Sequence, residues 1–420
     1  MKELLNMMNN NRLRAMFSRI LIPRIVATLG ILFIFSILAH AQAGSTRPRR
    51  APQPNPTPTP APKKVNDSLL DPTPAKSTGA VAPVATGSTT RAYTLLKQEK
   101  YDEAAKEAKR VAALEPNNSE AWKIAGFAEA GLKQYKLAAV DLQKALDLQR
   151  ASGEEDINTI DQLGRAYART EEFALALPLL VKAISRTDIK PDPALYYFRG
   201  LSEYRTGKME EALSSFNAAV KANPKDATSL YYLGRIFYER SEMPPAIAAL
   251  NRATAADLRS APAWALLTTA YLRRAASTTG AGSDADYLSA VRAGESLTRI
   301  RADAETVTLF AQALIGAKQY VRAAAELEKV TGGADAKGST LYLLGVSQSR
   351  AKNLPKAIAA LERAAVKSPT DVNIYSELGY AYEVSKQYPK ALAAYEKGAQ
   401  LAPGDADFKA SIERVRPQVK

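Results

Sequence analysis

The sequence predicts an all-α fold, an α-solenoid of stacked helix-turn-helix hairpins. Three observations predict it. The stretches LYYLGRIFYERSEMPPAIAALNRA (230–253), LYLLGVSQSRAKNLPKAIAALERA (341–364) and YSELGYAYEVSKQYPKALAAYEKG (375–398) are versions of one another, and Leu341 and Tyr375 begin consecutive copies. Glycine and alanine recur in fixed phase: Gly126, Gly164, Gly200, Gly234, Gly345 and Gly379 are followed, always at the same offset, by Ala138, Ala176, Ala212, Ala246, Ala357 and Ala391. Proline recurs at Pro244, Pro355 and Pro389, where a second helix begins, and at Pro116, Pro224, Pro369 and Pro403, where a hairpin ends. A fixed period of a few tens of residues marks units that bury their apolar faces against neighbouring copies.

The chain opens on a different kind of segment. Residues 1–24 carry Lys2, Arg12, Arg14, Arg19 and Arg24 against the single acid Glu3. The apolar run IVATLGILFIFSILA follows at 25–39, then HAQAGS. A basic region, an apolar run and small-x-small steps (Ala39-His40-Ala41, Ala41-Gln42-Ala43) have the layout of a secretory signal. The run is shorter than the roughly 20 residues a spanning helix prefers. Residues 1–43 are therefore expected to be a signal peptide or an uncleaved signal anchor, with translation starting at Met1 or Met16. Either way the body is expected to be exported, to a bacterial periplasm or cell envelope. No cysteine follows the apolar run, so a lipoprotein-type attachment is excluded.

Residues 44–84 read as a disordered Pro/Thr/Ala-rich linker. Proline stands at every second position from Pro52 to Pro62. Each fixes φ and lacks a donor, which favours extended polyproline II and builds no core. From about 85 to 405 the period is helical, with units starting near 85, 119, 157, 193, 227, 261, 304, 338 and 372. The sixth unit carries AASTTGAGSDAD (275–286), expected as a flexible insertion between its helices. Residues 406–420, ADFKASIERVR and tail, read as a polar closing helix with the wet outer face that a stacked array needs at its end.

The packing logic of the repeat follows from side-chain size. Two antiparallel helices approach closely only where side chains are small, so a glycine on the first helix is expected to face an alanine on the second. Larger residues then fill the seam above and below. Gly126, Gly164, Gly200, Gly234, Gly345 and Gly379 and their alanine partners are thus structural residues. The seventh unit has Ala311 where glycine is expected.

Composition removes most chemistry. The chain has 420 residues, no cysteine and one histidine, His40, inside the leading segment. That leaves no thiolate nucleophile, no Ser-His-Asp triad in the body and almost no route to a zinc site. No catalytic residue, metal ligand or cofactor is assigned. Net charge is +14, of which residues 1–92 hold +9 and the remaining body only +5. No Lys/Arg run stands out in the body, so nucleic acid is not an expected partner.

These units resemble the tetratricopeptide repeat (TPR) family. The matching positions are Trp122 and Gly126; Leu163, Gly164, Tyr167 and Ala176; Leu233, Gly234 and Ala246; Trp264, Leu267 and Tyr271; Leu344, Gly345 and Ala357; and Tyr375, Leu378, Gly379, Tyr382 and Ala391. The resemblance covers roughly 85–405 in about nine units. It implies a right-handed superhelix whose first helices line a concave groove that holds proteins or extended peptides. By family position the groove candidates are Tyr197, Leu201, Tyr204, Tyr231, Arg235, Tyr238, Tyr342 and Tyr380. Tyrosine offers a large flat contact and a hydroxyl at low entropic cost. The Lys/Asn clamp by which some members grip an acidic C-terminal peptide is absent: Lys123 is followed by Phe127, Gln162, Ala194 and Phe198 where Asn, Asn, Lys and Arg are needed. The expected function is a non-enzymatic interaction scaffold. A membrane-tethered structural spacer held through 25–43, and a carboxylate-dependent hydrolase, are the alternatives.

Overall fold

A computed structural model describes residues 87–185 and 192–419. The signal or anchor segment, the proline-rich linker and their boundaries lie outside the described residues. Within them every regular element is helical, and the helices pair into nine hairpins closed by one terminal helix. The hairpins are α1 Gly87–Lys97 with α2 Tyr101–Leu114, α3 Ser119–Gly131 with α4 Tyr135–Ser152, and α5 Ile157–Arg169 with α6 Phe173–Ile184. Then come α7 Pro193–Arg205 with α8 Met209–Ala222, α9 Ala227–Glu239 with α10 Met243–Ala256, and α11 Ala261–Ser277 with α12 Ala281–Ile300. The last are α13 Ala304–Gly316 with α14 Tyr320–Thr331, α15 Gly338–Arg350 with α16 Leu354–Lys367, and α17 Val372–Val384 with α18 Tyr388–Leu401. Helix α19 Ala406–Val415 ends the array.

Each helix packs on its successor, and first helices also touch the first helix of the following hairpin. This is the connectivity of an α-solenoid, in which every unit is stabilised by its neighbours alone.

Local signals fix where helices start. First helices are capped by acidic or amide side chains: Asn118, Asp156, Asp192, Asp226, Asp303 and Asp371 each accept a hydrogen bond from a backbone N–H of the first turn. Those donors have no partner within the helix, so the cap satisfies them. A second device holds the turn between hairpins. Trp122 Nε1 donates to the Pro116 carbonyl at 2.9 Å, Trp264 Nε1 to that of Leu258 at 3.0 Å, and the Tyr375 hydroxyl to that of Pro369 at 3.0 Å. In these three hairpins the aromatic at the fourth position of the first helix therefore reaches back into the preceding turn and ties the incoming chain.

The turn inside eight of the nine hairpins is equally regular, the sixth being the exception. Glu99, Lys133, Glu171, Ser241, Lys318, Lys352 and Lys386 all have φ between 58° and 65°. The next residue bonds back across the turn, as Gln134 N–H does to the Glu129 carbonyl at 2.9 Å. This is the left-handed C-terminal closure of a helix, most often built with glycine, and only the fourth hairpin places one at this position, Gly207.

Two sequence expectations need correction. The stretch 275–286 is not a flexible insertion. Helix α11 has 17 residues and α12 has 20, against 13 and 14 in the preceding hairpin, so the added residues lengthen both helices and leave a short turn. Alanine-rich sequence favours helix extension. The Arg274 guanidinium grips Asp286 with two bonds, of 2.8 and 2.6 Å, which ties the lengthened ends together.

The second correction concerns the glycines. They do not meet the in-phase alanine as a side-chain partner. The side chain nearest to each lies one turn farther along the second helix, again at a constant offset: Leu142 for Gly126, Leu180 for Gly164, Phe216 for Gly200, Leu250 for Gly234, Leu361 for Gly345 and Tyr395 for Gly379. At Gly126 and Gly234 the alanine contributes its backbone carbonyl. The glycine thus makes a socket for a large side chain, and the fully buried alanine lets the two backbones approach.

Candidate functional site

The residues expected in the groove lie on successive first helices, and α7 and α9 bring five aromatic rings together with the ring of Phe216 from α8. Tyr232 is the centre. Its ring stacks on Phe216 at 5.1 Å with 5° between planes, and lies 6.2 Å from Tyr197, 5.6 Å from Tyr204 and 5.3 Å from Tyr231. Tyr197 also packs against Phe198 and Phe216. Edge-on and offset arrangements of this kind add to plain burial. Sequence reasoning missed Tyr232. Tyr232 has no tyrosine at its repeat position in the preceding unit, where Phe198 stands; the available signal was its adjacency to Tyr231, the repeat equivalent of Tyr197.

Guanidinium groups cover these rings. Arg235 Cζ sits 5.4 Å above Tyr204, while its Nε pairs with Glu239 at 3.0 Å. The Tyr204 hydroxyl donates to the same Glu239 oxygen at 2.6 Å. Tyr204, Arg235 and Glu239 therefore form a closed triad across two hairpins, so Arg235 finds both its carboxylate and its ring inside the chain. Arg273, 5.2 Å over Tyr238, donates to the Tyr238 carbonyl and the Ser241 hydroxyl. Arg169 lies 4.7 Å over Tyr135 and 5.0 Å over Phe198. Among the described residues neither Arg169 nor Arg273 has a carboxylate within ion-pair distance.

Burial separates the candidates. Burial pushes the Tyr197 hydroxyl up to about 12, and raises those of Tyr204 and Tyr342 as well. These hydroxyls stay protonated under all ordinary conditions. Tyr197, Leu201, Tyr204, Tyr231, Arg235, Tyr238 and Tyr342 are all half-buried; Leu201 and the tyrosines pack against core clusters, Tyr231 against two of them, and each keeps part of its surface in water. Tyr380 stands apart on α17. It is 45% exposed, with Arg350 5.6 Å above its ring. Arg350 also pairs at 2.8 Å with Glu377, whose carboxyl burial raises. Lys123 is buried and bound to Glu120 and Asp156. Among the described residues no group of three or more His, Asp or Glu side chains could hold a metal ion.

A left-handed turn in eight of the nine hairpins, a glycine socket in six, an Asp or Asn cap in six and a tying aromatic at the fourth position in three repeat one plan, and an independent comparison agrees with it. The tetratricopeptide repeat family model matches residues 89–155, 162–227, 199–262 and 342–406. The chain belongs to the TPR family. The matched ranges omit 263–341, the stretch with the lengthened α11 and α12 and with Thr268 and Ala311 at the glycine position.

Similar solved structures are TPR proteins too. YrrB, described as a TPR protein with an unusual peptide-binding site, is 16% identical, with TM-score 0.40, over 47% of this chain and 97% of its own. The C-terminal part of a TPR protein from Cytophaga hutchinsonii is 16% identical, with TM-score 0.42, over 69% of this chain and 99% of its own. A TPR protein from Parabacteroides merdae is 14% identical, with TM-score 0.39, over 62% of this chain and 98% of its own. Comparison with curated proteins finds no match.

Proposed function

We propose that this TPR array is a non-enzymatic scaffold that binds a partner protein or extended peptide along its first-helix surface, across α5 to α11. One observation carries the reading. Tyr231, Arg235 and Tyr238 stand part-exposed on one helix, and each is held in place by neighbouring side chains. Tyr204 and Glu239 hold Arg235, the Tyr232 ring supports Tyr231, and Arg273 covers Tyr238. Rigid, pre-placed aromatic and guanidinium groups bind at low entropic cost, because their rotamers are already fixed.

The test compares full-length protein with a Tyr231→Ala/Arg235→Ala/Tyr238→Ala variant in cross-linking and affinity capture, with circular dichroism to verify that the array is intact. Loss of a defined set of partners supports the reading, and an unchanged set overturns it. We also infer export, supported by the basic region, the apolar run 25–39 and the small-x-small steps of the sequence. N-terminal sequencing of the protein from fractionated cells tests it. A new start after Ala41 or Ala43 in a periplasmic fraction marks a cleaved signal, an intact N-terminus in membranes marks an anchor, and a cytosolic protein overturns export.

A further inference from the structure

The intra-hairpin turn of the second hairpin carries two exposed lysines, Lys133 and Lys136, and no acid, and only hairpins seven to nine repeat such a turn consecutively. In hairpins seven, eight and nine the turn reads Lys318-Gln-Tyr-Val-Arg322, Lys352-Asn-Leu-Pro-Lys356 and Lys386-Gln-Tyr-Pro-Lys390. All six cations are exposed, they occupy the same two positions of three consecutive units, and none of the three turns contains an acid. Arg322 pairs with Glu295 and Lys356 with Glu328. Among the described residues Lys318, Lys352, Lys386 and Lys390 have no carboxylate within ion-pair distance; Lys390 meets the Tyr382 ring. The turns of hairpins seven and eight adjoin, with Arg350 and Ala351 beside Lys318, Val321 and Arg322.

This charge sits where the helices oppose it. The cations flank the N-termini of α14, α16 and α18, where the helix macrodipole favours anions. Helices α2 and α8 follow that preference, with Asp102 and Glu103, and Glu210 and Glu211, in their first turns. Helices α14, α16 and α18 have no acid there, as is also true of α4, α6 and α10, and none of these second helices has a side-chain cap, so the cations of the three consecutive turns meet bare helix ends. Three consecutive turns thus align cations with three positive helix ends. An anion supplied from outside relieves both. Between the two cations of each turn stands an exposed apolar residue at one repeat position, Val321, Pro355 or Pro389, and Val321 is 73% exposed. Proline suits the first turn of a helix; an exposed valine gains nothing from that position.

We propose that this turn edge docks on an anionic phospholipid bilayer, the lysines against headgroup phosphates and the interleaved apolar residues at the headgroup boundary. The exposed apolar positions favour a bilayer over a nucleic acid, whose phosphate backbone offers them nothing to bury against. This proposal is independent of the first-helix surface.

The chain has no native cysteine, so full-length protein with a single Val321→Cys, labelled with an environment-sensitive fluorophore, reports contact at this edge alone. It is titrated with phosphatidylglycerol-rich vesicles, phosphatidylcholine vesicles and a single-stranded oligonucleotide. The expected result is a blue shift with phosphatidylglycerol, absent with phosphatidylcholine, and weakened by salt. A basic residue near an anionic surface contributes about 1 kcal/mol, roughly fivefold in affinity, so Lys318→Glu/Lys352→Glu/Lys386→Glu should weaken vesicle binding by on the order of 100-fold. The control Lys144→Glu/Lys221→Glu/Lys225→Glu, with the same charge change elsewhere, should stay within a few-fold of the parent. Equal shifts with both vesicle types, equal losses in the two variants, or a stronger response to the oligonucleotide would each overturn the proposal.

Discussion

Replacing Gly234 by alanine tests the packing logic of the whole array. A Cβ at this position would lie 2.5 Å from Leu250 Cγ, 2.9 Å from its Cδ2 and 3.2 Å from the Ala246 carbonyl oxygen. Leu250 is fully buried and has nowhere to turn. Overpacking of this kind costs about 1–3 kcal/mol. Alanine in mid-helix returns up to about 1 kcal/mol through helix propensity. The net expectation is a loss of about 1–2 kcal/mol, felt at the fifth hairpin and its neighbours, because stability in such an array is a sum of unit and nearest-neighbour terms. Urea denaturation followed by circular dichroism reads the loss. Hydrogen exchange in α9 and α10 localises it, as a fall in protection of roughly 5- to 30-fold. Gly164 is the internal control: its Cβ would sit 3.0 Å from Leu180 Cγ, so Gly164→Ala should cost less. A double-mutant cycle with Leu250→Ala completes the test, because the two changes share one space and should couple by about 1 kcal/mol. If Gly234→Ala matches or exceeds the parent in stability while Gly164→Ala falls below it, the socket explanation is wrong.

Two further outcomes follow from the same structure. Lys133 holds φ of 61° in the second hairpin turn; the left-handed region costs an L-residue about 1–2 kcal/mol, against about 0.5–1 kcal/mol of extra chain entropy for glycine, so Lys133→Gly should raise stability by about 0.5–1 kcal/mol, and a lower urea midpoint would refute this. Glu129 and Asp141 are 2% and 5% exposed, each keeps one oxygen without a hydrogen-bond partner, and they share the ammonium of Lys109. Burial pushes both carboxyls above their usual range. The folded chain therefore holds their protons more tightly than the unfolded one. The stability this confers is complete below the ordinary carboxylate value of about 4 and is lost as pH rises through the raised values. Asp141→Asn should raise the urea midpoint at pH 7.5 more than at pH 5; a gain independent of pH, or larger at pH 5, would refute the assignment.

The repeat was legible because its devices are local. A cap needs one Asp before a helix, a turn needs one left-handed residue, and a socket needs one glycine in phase with one large residue. The glycines, their in-phase alanines and the prolines at helix starts leave marks at fixed spacing, whereas the left-handed turn residues, mostly Lys or Glu, and the large side chain in each socket vary in type and leave none. The site was only partly legible. Family position placed Tyr197 and Tyr204 on the first-helix surface, but neither residue reveals how much of its ring the next hairpin covers. Tyr232 escaped notice for the same reason, since its importance lies in the four rings it meets on three helices. The stretch 275–286 looked like a loop because glycine, serine and threonine cluster there, and the Arg274–Asp286 pair that fastens its helices joins residues no local pattern connects.

The amino-acid order by itself determined the all-α class, the period and the position of the hairpins, because helix starts, turns and small-residue contacts depend on neighbours within one unit. Only the tertiary structure decided which large side chain fills each glycine socket, which tyrosines are spent on packing, and which lysines find no acid. Those outcomes depend on distances between helices that the chain order does not state, and such distances are set by the packed array as a whole.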